Sequence, residues 1–211
     1  MSQNRSHAVM AQRVEPHDSL DDFPTPPWAT RALCEHVLEK KEIAKQSVWE
    51  PACNRGYMAR PLKEYFKSVH ASDIHDYGWD GQERVVDFLF SGLEPPHIAA
   101  AGVDWIITNP PFRLAEQFIQ RGLEIANEGV AVLVRTSFLE GVSRYENLFG
   151  KNPPNTVAQF VERVPMVKGR HDPNASTATS YAWLVWGGYD VPTTFRWIPP
   201  CRREFQREGD A

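Results

Sequence analysis

Asp104-Trp105-Ile106-Ile107-Thr108-Asn109-Pro110-Pro111-Phe112 is an apolar run that stops abruptly at Asn-Pro-Pro-Phe. Trp105 to Thr108 reads as a short strand buried on both faces, the kind found inside a parallel sheet. The two prolines that follow remove two backbone donors and fix φ, leaving a rigid turn whose carbonyls point outward. Such a turn presents acceptors. It suits an amino group held by the Asn109 side-chain oxygen and the Pro110 carbonyl, with Phe112 stacked on the attached ring. An amino nitrogen conjugated to a ring or carbonyl is a poor nucleophile, because its lone pair is delocalised. Holding both N–H bonds pushes it toward tetrahedral geometry and localises the pair for in-line attack. Asn109, Pro110, Pro111 and Phe112 are therefore the candidate catalytic residues, the alternative being a strand that merely ends in a proline turn.

Working outward, helical and extended patterns alternate. Trp28, Leu33, Val37 and Leu38 recur at helical spacing behind Pro27, which predicts a helix from Trp28 to Lys40. Ser47 to Glu50 reads as a strand, Met58 to Phe66 as a helix with Pro61 in its first turn, and Val69 to Ser72 as a second strand, together a βαβ unit. Beyond the Asn-Pro-Pro-Phe corner come a helix over Ala115 to Asn127 and an apolar strand over Val130 to Val134. A short helix near Tyr145 to Phe149 and strands around Val157 to Val161 and Tyr181 to Val185 follow. A connecting loop, with at most one helical turn, fills Gly92 to Gly102. This alternation predicts an α/β fold with a mainly parallel sheet, whose ligands sit in the loops after the strands.

Three earlier loops fit that rule. Glu50-Pro51-Ala52-Cys53-Asn54-Arg55-Gly56 joins strand to helix, and Asn54 and Gly56 supply the left-handed freedom that lets backbone N–H groups approach a ligand. Asp73, followed by Ile74, ends the second strand 23 residues past Glu50. A carboxylate there can accept both hydroxyls of a ribose, as in dinucleotide folds. Asp87-Phe88 pairs an acid with an aromatic, suited to an adenine amino group and its ring face. Taken singly, each of these has a plain reading as a turn, a cap or a loop acid.

With 211 residues, 42% hydrophobic and 24% charged, the chain has the composition of one globular domain. Residues 1–22 read as a flexible tail, 23–200 as the domain and 201–211 as a C-terminal tail. No apolar run is long enough for a membrane span or a secretory signal, so a cytoplasmic protein without membrane partners is expected. Cys34, Cys53 and Cys201 are too scattered for disulfides or a zinc cluster; free thiols and no metal are expected. The net charge of −4 does not advertise a polyanion partner, although Lys168, Arg170, Arg202 and Arg203 gather late in the chain. Lys168, Arg170 and His171 have the composition for phosphate contacts, and a solvated surface explains them equally well.

Asn109-Pro110-Pro111-Phe112 resembles the signature of the S-adenosylmethionine-dependent amino-methyltransferases of the class I, Rossmann-like fold, in particular the adenine-N6 DNA methyltransferases. Phe23-Pro24-Thr25-Pro26 is similar to that family's segment ahead of the cofactor loop, whose Thr-Pro backbone helps hold the methionine moiety. Glu50-Pro51-Ala52-Cys53-x-x-Gly56 resembles the cofactor loop itself, with Asn54 where the first Gly usually stands. Asp73 with Ile74 resembles the ribose acid, and Asp87-Phe88 the adenine contact. Phe160 to Met166 and Ser176 to Trp186 resemble late elements that wall the target-base pocket. The resemblance spans residues 23 to about 190. It implies a seven-stranded sheet with the last strand antiparallel, helices on both faces, S-adenosyl-L-methionine as cofactor, and a nucleic-acid partner, DNA before RNA. On that reading Thr25, Pro26, Glu50 to Asn54, Gly56, Asp73, Ile74, Asp87, Phe88 and Asn109 bind the cofactor.

The order of motifs is the one in which no recognition domain interrupts the core, and only about 25 residues follow Trp186. Readout of a target sequence then falls to short loops. Three other functions share these residues: adenine-N6 methylation of RNA, methylation of a glutamine amide in a protein, and nucleic-acid binding without catalysis.

Overall fold

The computed structural model describes residues 21–187 and 192–210, so most of the expected N-terminal tail lies outside the described residues. Pro27 opens α1 (Pro27–His36), which ends four residues earlier than its periodicity suggests. A four-residue turn of helix, α2 (Lys40–Ile43), separates it from the first strand. The chain continues through β1 (Ser47–Glu50), α3 (Ala59–Leu62), β2 (Ser68–Asp73), β3 (Arg84–Val85), α4 (Pro96–Ala101) and β4 (Val103–Thr108). It then forms α5 (Ala115–Ile125), β5 (Ala126–Arg135), α6 (Val142–Arg144), a π-helical turn over Tyr145–Phe149, β6 (Thr156–Phe160), β7 (Tyr181–Gly187), β8 (Thr194–Ile198) and α7 (Arg202–Phe205).

The strands form one sheet in the order β3-β2-β1-β4-β5-β7-β6-β8. All pairs are parallel except those of β7, which runs antiparallel between β5 and β6. The sequence implied seven strands; the described residues form eight. The added one, β8, pairs parallel to β6 in register Phe160↔Ile198. It is an edge strand with only Ile198 buried, so its residues lack the apolar signal of an interior strand.

The inner strands are apolar throughout because each sends alternate residues to two cores. From β4 and β5, Trp105, Ile107, Ala131 and Leu133 join one layer with Trp28, Leu33 and Leu62 of α1 and α3. Ile106, Val130, Val132 and Val134 join the other with Phe118 and Ile119 of α5. Helices therefore cover both faces, as a parallel sheet requires. Four indole N–H groups in these cores find acceptors: Trp49 on Ser72 Oγ, Trp105 on Gln46 Oε1, Trp183 on the Ala29 carbonyl and Trp186 on the Asn152 carbonyl. Cys34, Cys53 and Cys201 are free thiols, all buried. Among the described residues no helix is long and apolar enough to cross a membrane.

Residues 201–210, read from sequence within the C-terminal tail, fold against α1. Arg31 is 4% exposed. It donates to both oxygens of Asp210 at 2.8 Å, to Glu64 at 2.9 Å and to the Phe205 carbonyl at 2.7 Å. These partners hold the Arg31 guanidinium charged against the cost of its burial, and Arg31 in turn holds the Asp210 carboxyl below its ordinary value. A buried ion pair stripped of one partner leaves an uncompensated charge. Arg31→Ala is therefore expected to destabilise the domain by about 3–5 kcal/mol in urea unfolding at neutral pH. Because the folded-state value of Asp210 is lowered, its contribution is present above the ordinary aspartate range and is lost as pH falls below it.

Candidate active site

Within the parallel strands β1 to β5 the strand order reverses direction at β1. From β1 the chain builds outward through β2 and β3, then returns to lay β4 on the other side of β1. Loops that leave the carboxyl ends of β1 and β4 diverge there, and a crevice opens between them. The crevice contains about 760 Å³ of empty space continuous with solvent. Its walls come from four strand ends: Glu50 to Asn54 after β1, Asp73 and Ile74 after β2, Asp87 and Phe88 after β3, and Asn109 and Pro111 after β4. Phe23, Pro24 and Thr25 close one side, ahead of α1. Residues scattered over almost ninety positions thus meet in one cavity. Pro26, Gly56, Pro110 and Phe112 are not among the lining residues.

The loop after β1 is held open by its backbone. Asn54 adopts φ 50°, the left-handed conformation that its short polar side chain tolerates. Its N–H donates to Asp73 Oδ2 at 2.9 Å, its side-chain NH2 to Asp22 Oδ1 at 2.7 Å, and its Oδ1 accepts from Arg55 N at 2.7 Å. Asn54 therefore serves where a glycine would give only freedom. Gly56 adopts φ 77°, and a Cβ there would fall 2.4 Å from the Trp79 indole.

Electrostatics in the crevice are unsettled by design of the chain itself. Glu50 is 2% exposed and its Oε2 has no hydrogen-bond partner. Burial, reinforced by the nearby Asp73 charge, pushes the Glu50 carboxyl well above its ordinary value. Asp73 is raised as well, chiefly by burial, although its two oxygens accept from Asn54 N and, at 3.0 Å, from His75 N. Burial also drives the Cys53 thiol upward, with Glu50 and Asp73 adding to the effect, so Cys53 is no nucleophile at neutral pH. Two buried acids facing a cavity favour a ligand that brings positive charge or hydroxyl donors. Asp87 Oδ1 accepts from Leu89 N at 2.9 Å, which fixes the acid beside Phe88; the Phe88 ring packs on Trp49 and Phe118.

At the opposite wall, the Asn109 side-chain NH2 donates to the Phe23 carbonyl at 3.2 Å and faces Met166 Sδ at 3.6 Å. Those contacts orient the amide. Its Oδ1 is buried without a partner, and Asn109 is one of the residues that line the crevice. Phe112 packs against Phe23 with ring centroids 5.3 Å apart, and the Arg135 guanidinium lies 3.9 Å over its ring. The Phe112 N–H donates to Asp21 Oδ2 at 2.8 Å.

Several of these groups have no counterpart in the sequence reading. Asp21 and Asp22, placed there in the tail, form a strap: Asp22 pairs with Arg55 at 3.0 Å, and its carbonyl accepts from Gly169 N at 2.8 Å. Tyr57, Met58, Tyr77 and Phe118 line the crevice and Arg135 caps Phe112, yet only the spacing of Tyr57 directly after Gly56 offered a hint. Lys168 and Arg170 do not enter the crevice. They are exposed on a turn closed by a Val167–Arg170 bridge and tied to the strap at Gly169. His171 is half-buried against the Tyr57 ring, 5.2 Å away between centroids, and burial lowers its proton affinity.

This geometry can be set beside known proteins. No family model matches the sequence, and no curated protein matches it either. Solved structures do match in shape. A protein assigned as the modification subunit of a type I restriction enzyme from Vibrio vulnificus superposes with a TM-score of 0.58 at 16% identity, over 84% of this chain and 47% of that one. The fold is that of the class I methyltransferases. A protein assigned as an RNA methyltransferase from Pyrococcus horikoshii gives the same score at 14% identity, over 85% of this chain and 95% of that one. A type I restriction-modification methyltransferase subunit from Streptococcus thermophilus gives 0.54 at 12% identity, over 90% and 50%. The chain thus spans about half the length of the two restriction-modification subunits. In this methyltransferase fold the crevice between β1 and β4 is where the positive φ of the β1 loop matters most. Gly56→Ala is expected to cost about 1–3 kcal/mol in urea unfolding, since it adds both left-handed strain and a collision with Trp79. Gly78→Ala, at φ 71° with open space around it, should cost only the left-handed strain, about 1–2 kcal/mol.

Proposed function

We propose that this protein transfers a methyl group from S-adenosyl-L-methionine to an exocyclic amino nitrogen, adenine N6 of DNA being the target. The observation that carries the proposal is the buried, unpartnered Oδ1 of Asn109 at the rim of a crevice lined by Glu50 and Asp73. A buried acceptor without a partner costs about 1–3 kcal/mol, and an amino group removes that cost by donating to it.

The residues present fit the cofactor. Asp73 retains acceptor capacity for ribose hydroxyls, and Asp87 with Phe88 offers an acceptor and an apolar edge for an adenine. Glu50, with Thr25 and Pro26 opposite, suits the cationic methionine end. When bound, S-adenosyl-L-methionine supplies a methyl carbon made electrophilic by a sulfonium. The protein's own part is positional: Asn109 Oδ1 and the Pro110 carbonyl accept the two N–H bonds of the target and localise its lone pair. Held this way, the target nitrogen would be set to take the methyl carbon in place of the sulfonium, its surplus proton passing to water. A target ring stacking on Phe112 takes the place of the Arg135 guanidinium. On DNA the base must leave the duplex to reach this corner, and Lys168, Arg170 and His171 are the residues proposed for backbone contacts.

Nucleic acid as substrate class is supported by the names of the shape neighbours, two of restriction-modification systems and one of RNA. The last of these favours RNA as the second reading, because this chain covers nearly all of it. Tritiated methyl transfer to DNA, RNA and protein fractions separates the two. Label in DNA is expected; label only in RNA or protein would replace the substrate while keeping the chemistry.

Asn109→Ala should lower kcat roughly 100- to 1000-fold while the cofactor Kd stays within about threefold, because the lost acceptor serves the target nitrogen. Asp73→Ala should raise the cofactor Kd about 10- to 100-fold. Bound positive charge favours ionised Glu50, whose free-state value is raised. Cofactor affinity should therefore be full above that value and weaken as pH falls through it, and Glu50→Gln should flatten this dependence in calorimetric titrations.

A further inference from the structure

Away from the crevice, on the sheet edge formed by β2 and β3, three side chains from separate elements converge. His70 lies in β2, Glu83 immediately precedes β3, and His97 is in the first turn of α4. His70 Nδ1 is 3.2 Å from Glu83 Oε1, and His97 Nε2 is 3.7 Å from Glu83 Oε2. The two imidazole rings stand 3.9 Å apart between centroids. One ligand atom from each residue lies within 4.8 Å of the other two. From this juxtaposition we propose that His70, Glu83 and His97 form a binding site for one divalent transition-metal ion of the zinc class, which fastens α4 to the sheet.

The chemistry matches that ion. Two neutral imidazoles and one carboxylate, with a fourth position open to water, are a recurrent zinc donor set. Metal–ligand distances of about 2.0–2.2 Å in a tetrahedron place ligand atoms about 3.3 Å apart. The spacing seen here reaches that by small side-chain rotations. An entry path exists, since the side chains are 20%, 37% and 47% exposed. No metal was expected from the scattered cysteines; these ligands are spread over 28 positions and only the fold gathers them.

The site also has something to hold. α4 has six residues, begins at Pro96 without a side-chain cap, and buries only Ile98. A helix that short has little stability of its own. It lies between the Asp87-Phe88 loop of the crevice and β4, so an ion bridging His97 to His70 and Glu83 braces the edge that carries that loop.

The test uses the full chain, stripped with chelator and titrated with Zn²⁺. About one equivalent should be retained through gel filtration, with a rise in Tm on zinc addition. Co²⁺ in its place should give the visible absorption of a four- or five-coordinate site. His97→Ala, at a half-exposed position, should weaken zinc binding about 100-fold or more and abolish the Tm rise, with the circular dichroism of the zinc-free protein unchanged. Glu83→Gln provides an independent variant should His97→Ala fail to fold. Wild-type protein that retains no zinc, or a folded variant that retains as much as wild type, would overturn the proposal.

Discussion

A strand buried on both faces has one way to meet solvent, which is at its end. β4 sits between β1 and β5 with Ile106 and Ile107 wholly buried in opposite cores, so its backbone is fixed before any ligand is present. Asn109 and the two prolines inherit that rigidity. A side chain that must meet a nitrogen within a few tenths of an ångström is best mounted on such an element. The same constraint sets the remaining geometry: the parallel strands β1 and β2, on one side of β4, bring Glu50 and Asp73 to the same rim as Asn109.

At that rim the fold leaves polar groups unsatisfied. The Glu50 and Asp73 carboxyls are raised by burial, the Glu50 Oε2 and Asn109 Oδ1 lack partners, and the Thr108 hydroxyl is likewise unpartnered. Each of these groups gains from a complementary partner. A ligand that brings a cation to Glu50, hydroxyl donors to Asp73 and N–H donors to Asn109 recovers the deficit piece by piece. The apolar cores that flank the crevice supply the stability that makes this deficit tolerable, and the Arg31–Asp210–Glu64 cluster closes the face opposite α5.

Much of this was legible in the sequence, for reasons that are physical. The apolar runs of β4 and β5 announce a parallel sheet because only two-sided burial demands them. Asn54 is legible because few residues accept a left-handed turn, and φ 50° bears that out. Asp73 and Asn109 are legible because strand ends are where such a sheet can bind. What escaped depends on long-range packing. β3 is two residues long and β8 is an exposed edge, so neither leaves a periodic trace. The strap of Asp21 and Asp22 looks like the end of a polar tail until Arg55, Asn54 and the Phe112 N–H are placed around it. Arg135 becomes notable only when the β5 end brings it over Phe112. α3 stops at Leu62, short of the predicted Phe66, and the chain to Phe66 runs on as turns rather than regular helix.

The central claim is that the vacant Asn109 acceptor selects an amino nitrogen as the atom that receives the methyl group. Mass spectrometry of nucleosides released from DNA after incubation with the protein and isotopically labelled S-adenosyl-L-methionine tests this most directly. The account predicts label in N6-methyladenine, and none when the adenines are replaced by purine bases lacking the amino group. Label on a ring carbon or ring nitrogen, or undiminished transfer to the amino-free DNA, would contradict it.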